Sequence, residues 1–279
     1  MPNLNQIKEI CSKYDITPSK SKGQNFLIDQ NIVKKIIDAA EIKKDETVVE
    51  VGPGVGVLTE DLIKAAKKVV AVEVDKKILE FLRVQFLAEK KLEIIGEDIL
   101  RLNKKEAGLN NFKYKVVSNL PYNITSKFLR LSLEQEPKPS EMILMVQKEV
   151  AKRIVAKAGD MSLLSLSCQF YSQPEILFFV SRNSFWPIPD VDSAVIKLKL
   201  FSNLDEKIDE STLFKIARMG FSSKRKQLHN NFSAGLKINS EKAKEIITGE
   251  GFDEKVRAQD LSVIDWIKLT QGLKKSKIL

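Results

Sequence analysis

The sequence predicts an α/β unit over residues 1–202, followed by a smaller all-α domain over residues 203–279. Three observations carry this expectation. From Thr47 onward, short runs rich in Val and Ile alternate with segments of helical periodicity. The last two such runs follow one another with little helix between them, and after Phe201 the runs stop. Short β-branched runs read as buried strands, and their alternation with helices requires a parallel sheet covered on both faces. In order, the expected strands are TVVEV (47–51), VVAVEV (69–74), LEIIG (92–96), KVVSN (115–119) and EMILMV (141–146). The helices between and after them are LTEDLIKAAKK, DKKILEFLRVQFLAEK, NITSKFLRLSLEQ and KEVAKRIVAKA, each with apolar residues at helical spacing. EILFFV (175–180) and AVIKLKLF (194–201) are expected to form an antiparallel pair at the sheet edge. Beyond them, STLFKIARMGF, SEKAKEIITGEG and LSVIDWIKLTQGL read as helices. No internal repeat or low-complexity segment interrupts the pattern.

Composition narrows the chemistry. With 43% apolar and 30% charged residues of both signs, the chain can build a core and is not of disordered type. No apolar run reaches the roughly 18 residues of a membrane span, and the first residues lack a signal-peptide core. Cys11 and Cys168 stand alone without CxxC spacing, which points to reduced thiols and a cytoplasmic location. His229 is the only histidine, which argues against a histidine-based metal site or triad. The net charge is +9, and residues 203–279 carry 15 basic against 11 acidic groups. Within them, residues 211–240 hold no Asp or Glu but contain Lys215, Arg218, Lys224, Arg225, Lys226 and Lys237. Such a one-signed field suits a phosphate backbone; the alternative is a solvated helical face.

Gly52, Gly54 and Gly56 lie at the turn from the first strand into a helix, where backbone amides can approach a ligand closely. The dinucleotide fingerprint requires a third glycine where this chain has Val57. The G-x-G-x-G spacing fits a ligand without a pyrophosphate, such as S-adenosylmethionine. Glu73 ends the second strand, placed to accept both ribose hydroxyls, and Asp98 follows the third, placed for the adenine amine. Glu50, inside the first strand, either contacts the methionine end through water or caps a helix.

The fourth of these strands runs into Asn119-Leu120-Pro121-Tyr122. The exocyclic nitrogen of adenine is a poor nucleophile because its lone pair is delocalised into the ring. Two acceptors for its N–H groups would draw it toward tetrahedral geometry. The Asn119 side-chain oxygen and the Leu120 carbonyl can serve, with Pro121 holding that carbonyl outward and Tyr122 offering a stacking face for a flipped base. Stacking uses the ring and not the hydroxyl. A sulfonium is already an excellent leaving group, so neither a metal nor a tuned base is needed. Phe185, in an F-x-P-x-P loop, is expected to present an aromatic face opposite Tyr122.

These residues resemble the ribosomal RNA small-subunit adenine N6,N6-dimethyltransferases of the KsgA type. The likeness runs through KGQNFLID (22–29), EVGPGVGVLT (50–59), SNLPYNITSKFL (118–129), MVQKEVAKRI (145–154), FWPIPDVDSAVIKL (185–198) and GFDEKVRAQDLSVIDWIKL (251–269). The resemblance implies a Rossmann-like, seven-stranded methyltransferase core with a smaller helical domain. It implies dimethylation of two adjacent adenosines in the 3′-terminal hairpin of small-subunit (16S) rRNA, and a part in small-subunit biogenesis. By position, Asn25, Leu27, Gly52, Gly54, Glu73, Asp98 and Asn119 would bind S-adenosylmethionine, leaving S-adenosylhomocysteine as product. Asn119, Leu120, Pro121, Tyr122 and Phe185 would hold the target adenine. The charge pattern, apart from the resemblance, offers Lys224, Arg225 and Lys226 as RNA contacts. His229 stands where the family more often has arginine, which puts one phosphate contact in doubt. The expected partners are small-subunit rRNA and the pre-assembled subunit, met by a monomer without metal or membrane.

Three other readings compete. A large-subunit enzyme of the macrolide-resistance type shares the glycine loop and an N-[IL]-P-Y motif. A non-catalytic assembly or transcription factor on the same fold would be expected to have lost cofactor or NLPY residues, and here all are present. A nicotinamide dehydrogenase conflicts with Val57 and with the NLPY turn.

Overall fold

The computed structural model of the chain describes residues 2–18, 23–204 and 208–276, so Lys22 of the KGQNFLID segment lies outside the described residues. The chain divides into two compact units, Met1–Ala151 with Ser172–Ser202, and Lys152–Tyr171 with Asn203–Leu279.

The first unit is built on strands β1 (Phe26–Leu27), β2 (Thr47–Val51), β3 (Lys68–Val72), β4 (Leu92–Ile95), β5 (Tyr114–Asn119), β6 (Glu141–Gln147), β7 (Ser172–Val180), β8 (Phe185–Trp186) and β9 (Ser193–Leu200). Seven of them form one sheet in the order β4-β3-β2-β5-β6-β9-β7. Pairings from β4 across to β6 are parallel, and β9 pairs antiparallel with both β6 and β7. The antiparallel pair expected from EILFFV and AVIKLKLF is therefore present, with β7 at the edge. Pro174 sits in that edge strand, where its missing N–H is tolerated. A buried ion network ties the start of β5 to its surroundings. Lys115 lies 3.4 Å from Glu46 and 3.5 Å from Glu141, and its ammonium donates to the carbonyls of Ala40 and Glu41.

Helices α1 (Leu4–Lys13), α2 (Gln30–Ala40), α3 (Thr59–Ala65), α4 (Lys76–Gln85) and α5 (Thr125–Glu134) belong to this unit, and α6 (Lys148–Ile154) crosses into the second. Side-chain caps start several of them: Asn3 accepts from the Gln6 amide, Asp29 from Asn31, and Asp75 from Lys77 and Ile78. The order of strands reverses at β2, because the chain moves outward through β3 and β4 and then returns to β5 on the other side. In open α/β sheets such a switch point leaves a crevice at the strands' carboxyl ends.

The second unit holds α7 (Leu163–Tyr171), α8 (Glu210–Gly220), α9 (Leu228–Leu236), α10 (Ser240–Gly249) and α11 (Val263–Lys275). Residues 152–171 group with these helices rather than with the residues before them, unlike a single cut at residue 202. Aromatic packing explains it. The Tyr171 and Phe214 rings stack at 5.7 Å, Phe170 meets Phe214 edge-on at 5.5 Å, and the Tyr171 hydroxyl donates to Glu210 at 2.8 Å. The amides of Gly159 and Met161 also donate to the Gln259 carbonyl. Among the described residues, no helix is long and apolar enough to cross a membrane.

Candidate active site

A cavity of about 310 Å³ opens at the switch point. Its wall includes Asn25 and Leu27 from around β1, Gly52 and Gly54 after β2, Glu73 after β3, Asp98 after β4, and Asn119 and Pro121 at the end of β5. Segments far apart in sequence thus meet at one place: four of them follow strands of the seven-stranded sheet, and the β1 segment, paired only with β8, joins them. Leu120 and Tyr122 belong to the same turn without lining the cavity, and Phe185 stands apart from its wall.

The glycine loop lies close to its neighbours. Gly52 and Gly54 adopt φ of +65° and +56°, and a Cβ at either would stand 3.2 Å from Pro121 or 3.0 Å from the Phe26 ring. Gly56 instead faces the Phe86 ring, so it serves packing and not the cavity. The helix after the loop begins at Thr59, one residue past the start of the expected LTEDLIKAAKK segment. Thr59 donates through its hydroxyl to Glu50 at 2.6 Å, which makes Glu50 an anchor for the first residue of α3.

Four carboxylates line this crevice, Glu50, Glu73, Glu97 and Asp98, and burial governs the first two. Glu50 is 2% exposed, and desolvation pushes its carboxyl up to about 8; the Thr59 hydrogen bond opposes that rise and the nearby Glu73 adds to it. Burial also raises the Glu73 carboxyl, against hydrogen bonds from the Asp75, Val74 and Gly54 amides. Its Oε1 accepts from the amides of Val74 at 2.8 Å and Asp75 at 2.9 Å, so the carboxylate is aimed by its own turn. Asp98 accepts from the Leu100 amide through Oδ1 at 3.0 Å.

The NLPY turn is oriented with equal specificity. Asn119 Nδ2 donates to the Asn25 carbonyl at 3.1 Å, which fixes the amide and leaves Oδ1 for a ligand. The Leu120 amide donates to the Met145 carbonyl, and within the described residues no hydrogen bond takes up the Leu120 carbonyl. Two acceptors on adjacent residues are therefore uncommitted beside the cavity. The Tyr122 hydroxyl, which stacking itself does not use, pairs with Ser193 Oγ at 2.7 Å.

One expectation requires correction. Phe185 does not present an open face opposite Tyr122: it is 1% exposed, in β8 opposite Leu27, and belongs to the hydrophobic core. Strand alternation turns Phe185 inward and leaves its neighbour Trp186 half-buried against Phe26, with ring centroids 6.4 Å apart. At His229, where the resemblance leaves a phosphate contact in doubt, the side chain is turned into the helical unit. It is 7% exposed, with Nδ1 paired to Ser240 Oγ at 3.0 Å and Nε2 to Gln227 Oε1 at 2.8 Å, and burial lowers its pKa. Lys224, Arg225 and Lys226 are exposed in the loop between α8 and α9, and Lys215, Arg218 and Lys237 are exposed as well. The sequence reading overlooked Phe26, Val74, Ile99 and Ile124, which supply apolar cavity wall. Nothing in their spacing separates them from core residues.

Comparison with known proteins identifies the family. The family profile described as ribosomal RNA adenine dimethylase matches residues 17–275. Two similar relatives, both named ribosomal RNA small subunit methyltransferase A, come from Dehalococcoides mccartyi and Bacillus cytotoxicus. The first is 45% identical over 265 residues, 95% of this chain and 91% of its own. The second is 39% identical over 279 residues, 96% of each chain. Among solved structures, a dimethyladenosine transferase from Plasmodium falciparum matches with a TM-score of 0.77 at 27% identity, covering 90% of this chain and 98% of its own. The 23S rRNA methyltransferase ErmE matches at a TM-score of 0.69 and 23% identity, covering 90% of this chain and 100% of its own, which is a likeness of fold.

Two measurements follow from burial. The Glu50 carboxyl ionises near 4.5 in an unfolded chain and near 8 when folded. The stability tied to its neutral form is complete below the lower value and is lost as pH rises through the upper. The loss is about 1.4 kcal/mol per pH unit within that window. Glu50→Gln keeps an acceptor for Thr59 and removes the titration. The variant should match the parent near pH 4 and exceed it by roughly 3 kcal/mol at pH 7 in denaturant melts; an equal difference at both pH values would contradict a buried neutral acid. Phe185→Ala should cost about 3–5 kcal/mol of unfolding free energy, the cost typical of an emptied aromatic core site. A loss below ~1 kcal/mol would place that ring at the surface.

Proposed function

The chain belongs to the ribosomal RNA adenine dimethylase family, and from that premise we propose that it dimethylates N6 of two adjacent adenosines in the 3′-terminal hairpin of small-subunit (16S) rRNA. Its fold is the Rossmann-like, seven-stranded methyltransferase fold with a helical C-terminal region, and family membership makes it an rRNA adenine dimethyltransferase. The observation that carries the reading of the site is the pair of uncommitted acceptors, Asn119 Oδ1 and the Leu120 carbonyl, beside a cavity lined by the glycine loop.

The cavity residues fit S-adenosylmethionine. Glu73 and Asp98 are acceptors suited to ribose hydroxyls and an adenine amine, and the close glycine loop leaves backbone at the surface of the wall. Asn25, Leu27, Gly52, Gly54 and Asn119 would complete the site. When bound, S-adenosylmethionine supplies an electrophilic methyl group on a sulfonium whose departing thioether is neutral. Asn119 Oδ1 and the Leu120 carbonyl accept the two N–H groups of the target amine, freeing its lone pair from the ring. Pro121 restricts the residue before it to extended geometry, which keeps that carbonyl turned outward. Tyr122 stacks the extruded base. Phe185 enters this account as a packed residue of β8 and not as a second face.

The small-subunit assignment is supported by relatives of 45% and 39% identity whose names specify that subunit. The large-subunit reading has only likeness of fold behind it. The exposed Lys224, Arg225 and Lys226 give the second unit a surface suited to rRNA phosphates, consistent with action on a pre-assembled subunit and with a role in its biogenesis. With that partner, the protein acts in the cytoplasm, as a monomer.

Nucleoside mass spectrometry over time, on small and large subunits lacking the modification, tests this assignment. Monomethyl adenosine should appear and then give way to dimethyl adenosine on small subunits only, up to four methyl groups per subunit. Asn119→Ala should lower the rate at least 100-fold, as expected when a hydrogen-bonding group acts mainly in the transition state. Product on large-subunit RNA alone would overturn the assignment. For the basic loop, Lys224→Ala/Arg225→Ala/Lys226→Ala should weaken RNA binding and flatten its salt dependence by ~0.7 for each phosphate no longer neutralised, with cofactor affinity unchanged. An unaltered slope would make these residues a solvated face.

A further inference from the structure

Tyr122 lies in the turn after β5, outside any strand or helix, closed by the Ile124 amide donating to the Pro121 carbonyl. A side chain on such a turn normally keeps rotational freedom. Here both of its ends are held. At the main chain, Gly23 packs so closely that a Cβ on it would lie 2.9 Å from the Tyr122 nitrogen. At the far end, the hydroxyl meets Ser193 Oγ at 2.7 Å.

Ser193 is a fixed point. It opens β9, is 0% exposed, and stands in register with Gln147 on β6 and Val180 on β7. The preceding residue is pinned as well. The Lys148 amide donates to the Asp192 carbonyl at 3.0 Å, and the Arg182 amide donates to Asp192 Oδ1 at 3.2 Å. A hydroxyl in a fully buried strand position costs free energy unless it is hydrogen-bonded, and the Tyr122 hydroxyl satisfies it. Burial also raises the Tyr122 pKa, so its hydroxyl stays protonated and able to donate.

We propose that Ser193 is a positioning residue for the reaction: through its bond to the Tyr122 hydroxyl it sets the tilt of the ring on which the target adenine stacks. The inference rests on the base site proposed above. Stacking area needs only the ring, and Phe would supply it. Orientation needs the tether, because the target amine must meet its two acceptors and the methyl donor together. A ring that rocks still binds the base but presents the amine in fewer productive poses.

The test is a double-mutant cycle on Tyr122→Phe, Ser193→Ala and the pair, using the full chain and unmodified small subunits at saturating S-adenosylmethionine. Each single variant should lower the single-turnover methylation rate roughly tenfold, within the range that small misplacements of reacting groups produce. The double variant should be no slower than either single one, since all three lack the same bond. Affinities for the subunit and for S-adenosylmethionine should stay within about twofold of the parent, which a general loosening of the fold would not allow. Tyr122→Phe removes the bond without emptying space, so the inference stays testable if Ser193→Ala folds poorly. Parental rates in the single variants, or losses that multiply in the pair, would overturn it. An unmutated protein inactive on small subunits would overturn the proposed function instead, so the two failures read differently.

Discussion

Parallel pairing of β2 with β5 is the constraint from which the site follows. The two strands run side by side from Thr47 opposite Tyr114 to Val49 opposite Val116. The segments that leave their carboxyl ends, after Val51 and Asn119, therefore emerge as neighbours although the two ends are 68 residues apart in the chain. One is the glycine loop and the other is the NLPY turn. Their contact is close, with Gly52 lying against the Pro121 ring. Each element beyond this pair adds to a junction already made. β3 and β4 deliver Glu73 and Asp98, and the segment leading into β1 delivers the carbonyl of Asn25 that turns the Asn119 amide.

The electrostatics of the molecule divide along the same lines. The chain carries a net charge of +9, yet the cavity wall holds Glu73, Glu97 and Asp98 beside the buried, neutral Glu50. Acceptors of this kind suit a cationic ligand with ribose hydroxyls and disfavour a pyrophosphate, in keeping with Val57 where a dinucleotide loop has its third glycine. The cations of residues 211–240 are exposed in the second unit, where they suit a polyanion. One chain thus offers fields of opposite sign to two partners of opposite charge.

Much of this was legible beforehand. TVVEV became β2 without a shift at either end, and every other long strand fell within three residues of its expected start. Such runs are legible because a strand buried on both faces must be apolar throughout. The early helices α1 and α2 escaped notice, as did α7 and α9. The segment LHNNFSAGL shows why: its Asn, Ser and Gly residues have poor helix propensity. It is held by buried Leu228 and Phe232 and by Asn231 Nδ2 donating to the carbonyls of Gly220 and Ser223. The segment itself carries no Lys, Arg, Asp or Glu, although it lies within the basic stretch 211–240.

The sequence by itself determined which chemistry the site can do. A glycine loop, carboxylates at successive strand ends and an Asn-Leu-Pro-Tyr turn are local facts, each tied to a strand end that periodicity reveals. The tertiary structure alone decided which way the side chains face. Strand alternation and the pairing of β8 with β1 sent Phe185 inward, and both ring nitrogens of His229 found partners within the helical unit. The same is true of the two bonds that aim the site, Asn119 to Asn25 and Tyr122 to Ser193, whose members lie 94 and 71 residues apart. Hydrogen bonds act over about 3 Å of space and leave no periodic trace in the chain, so only the folded arrangement discloses them.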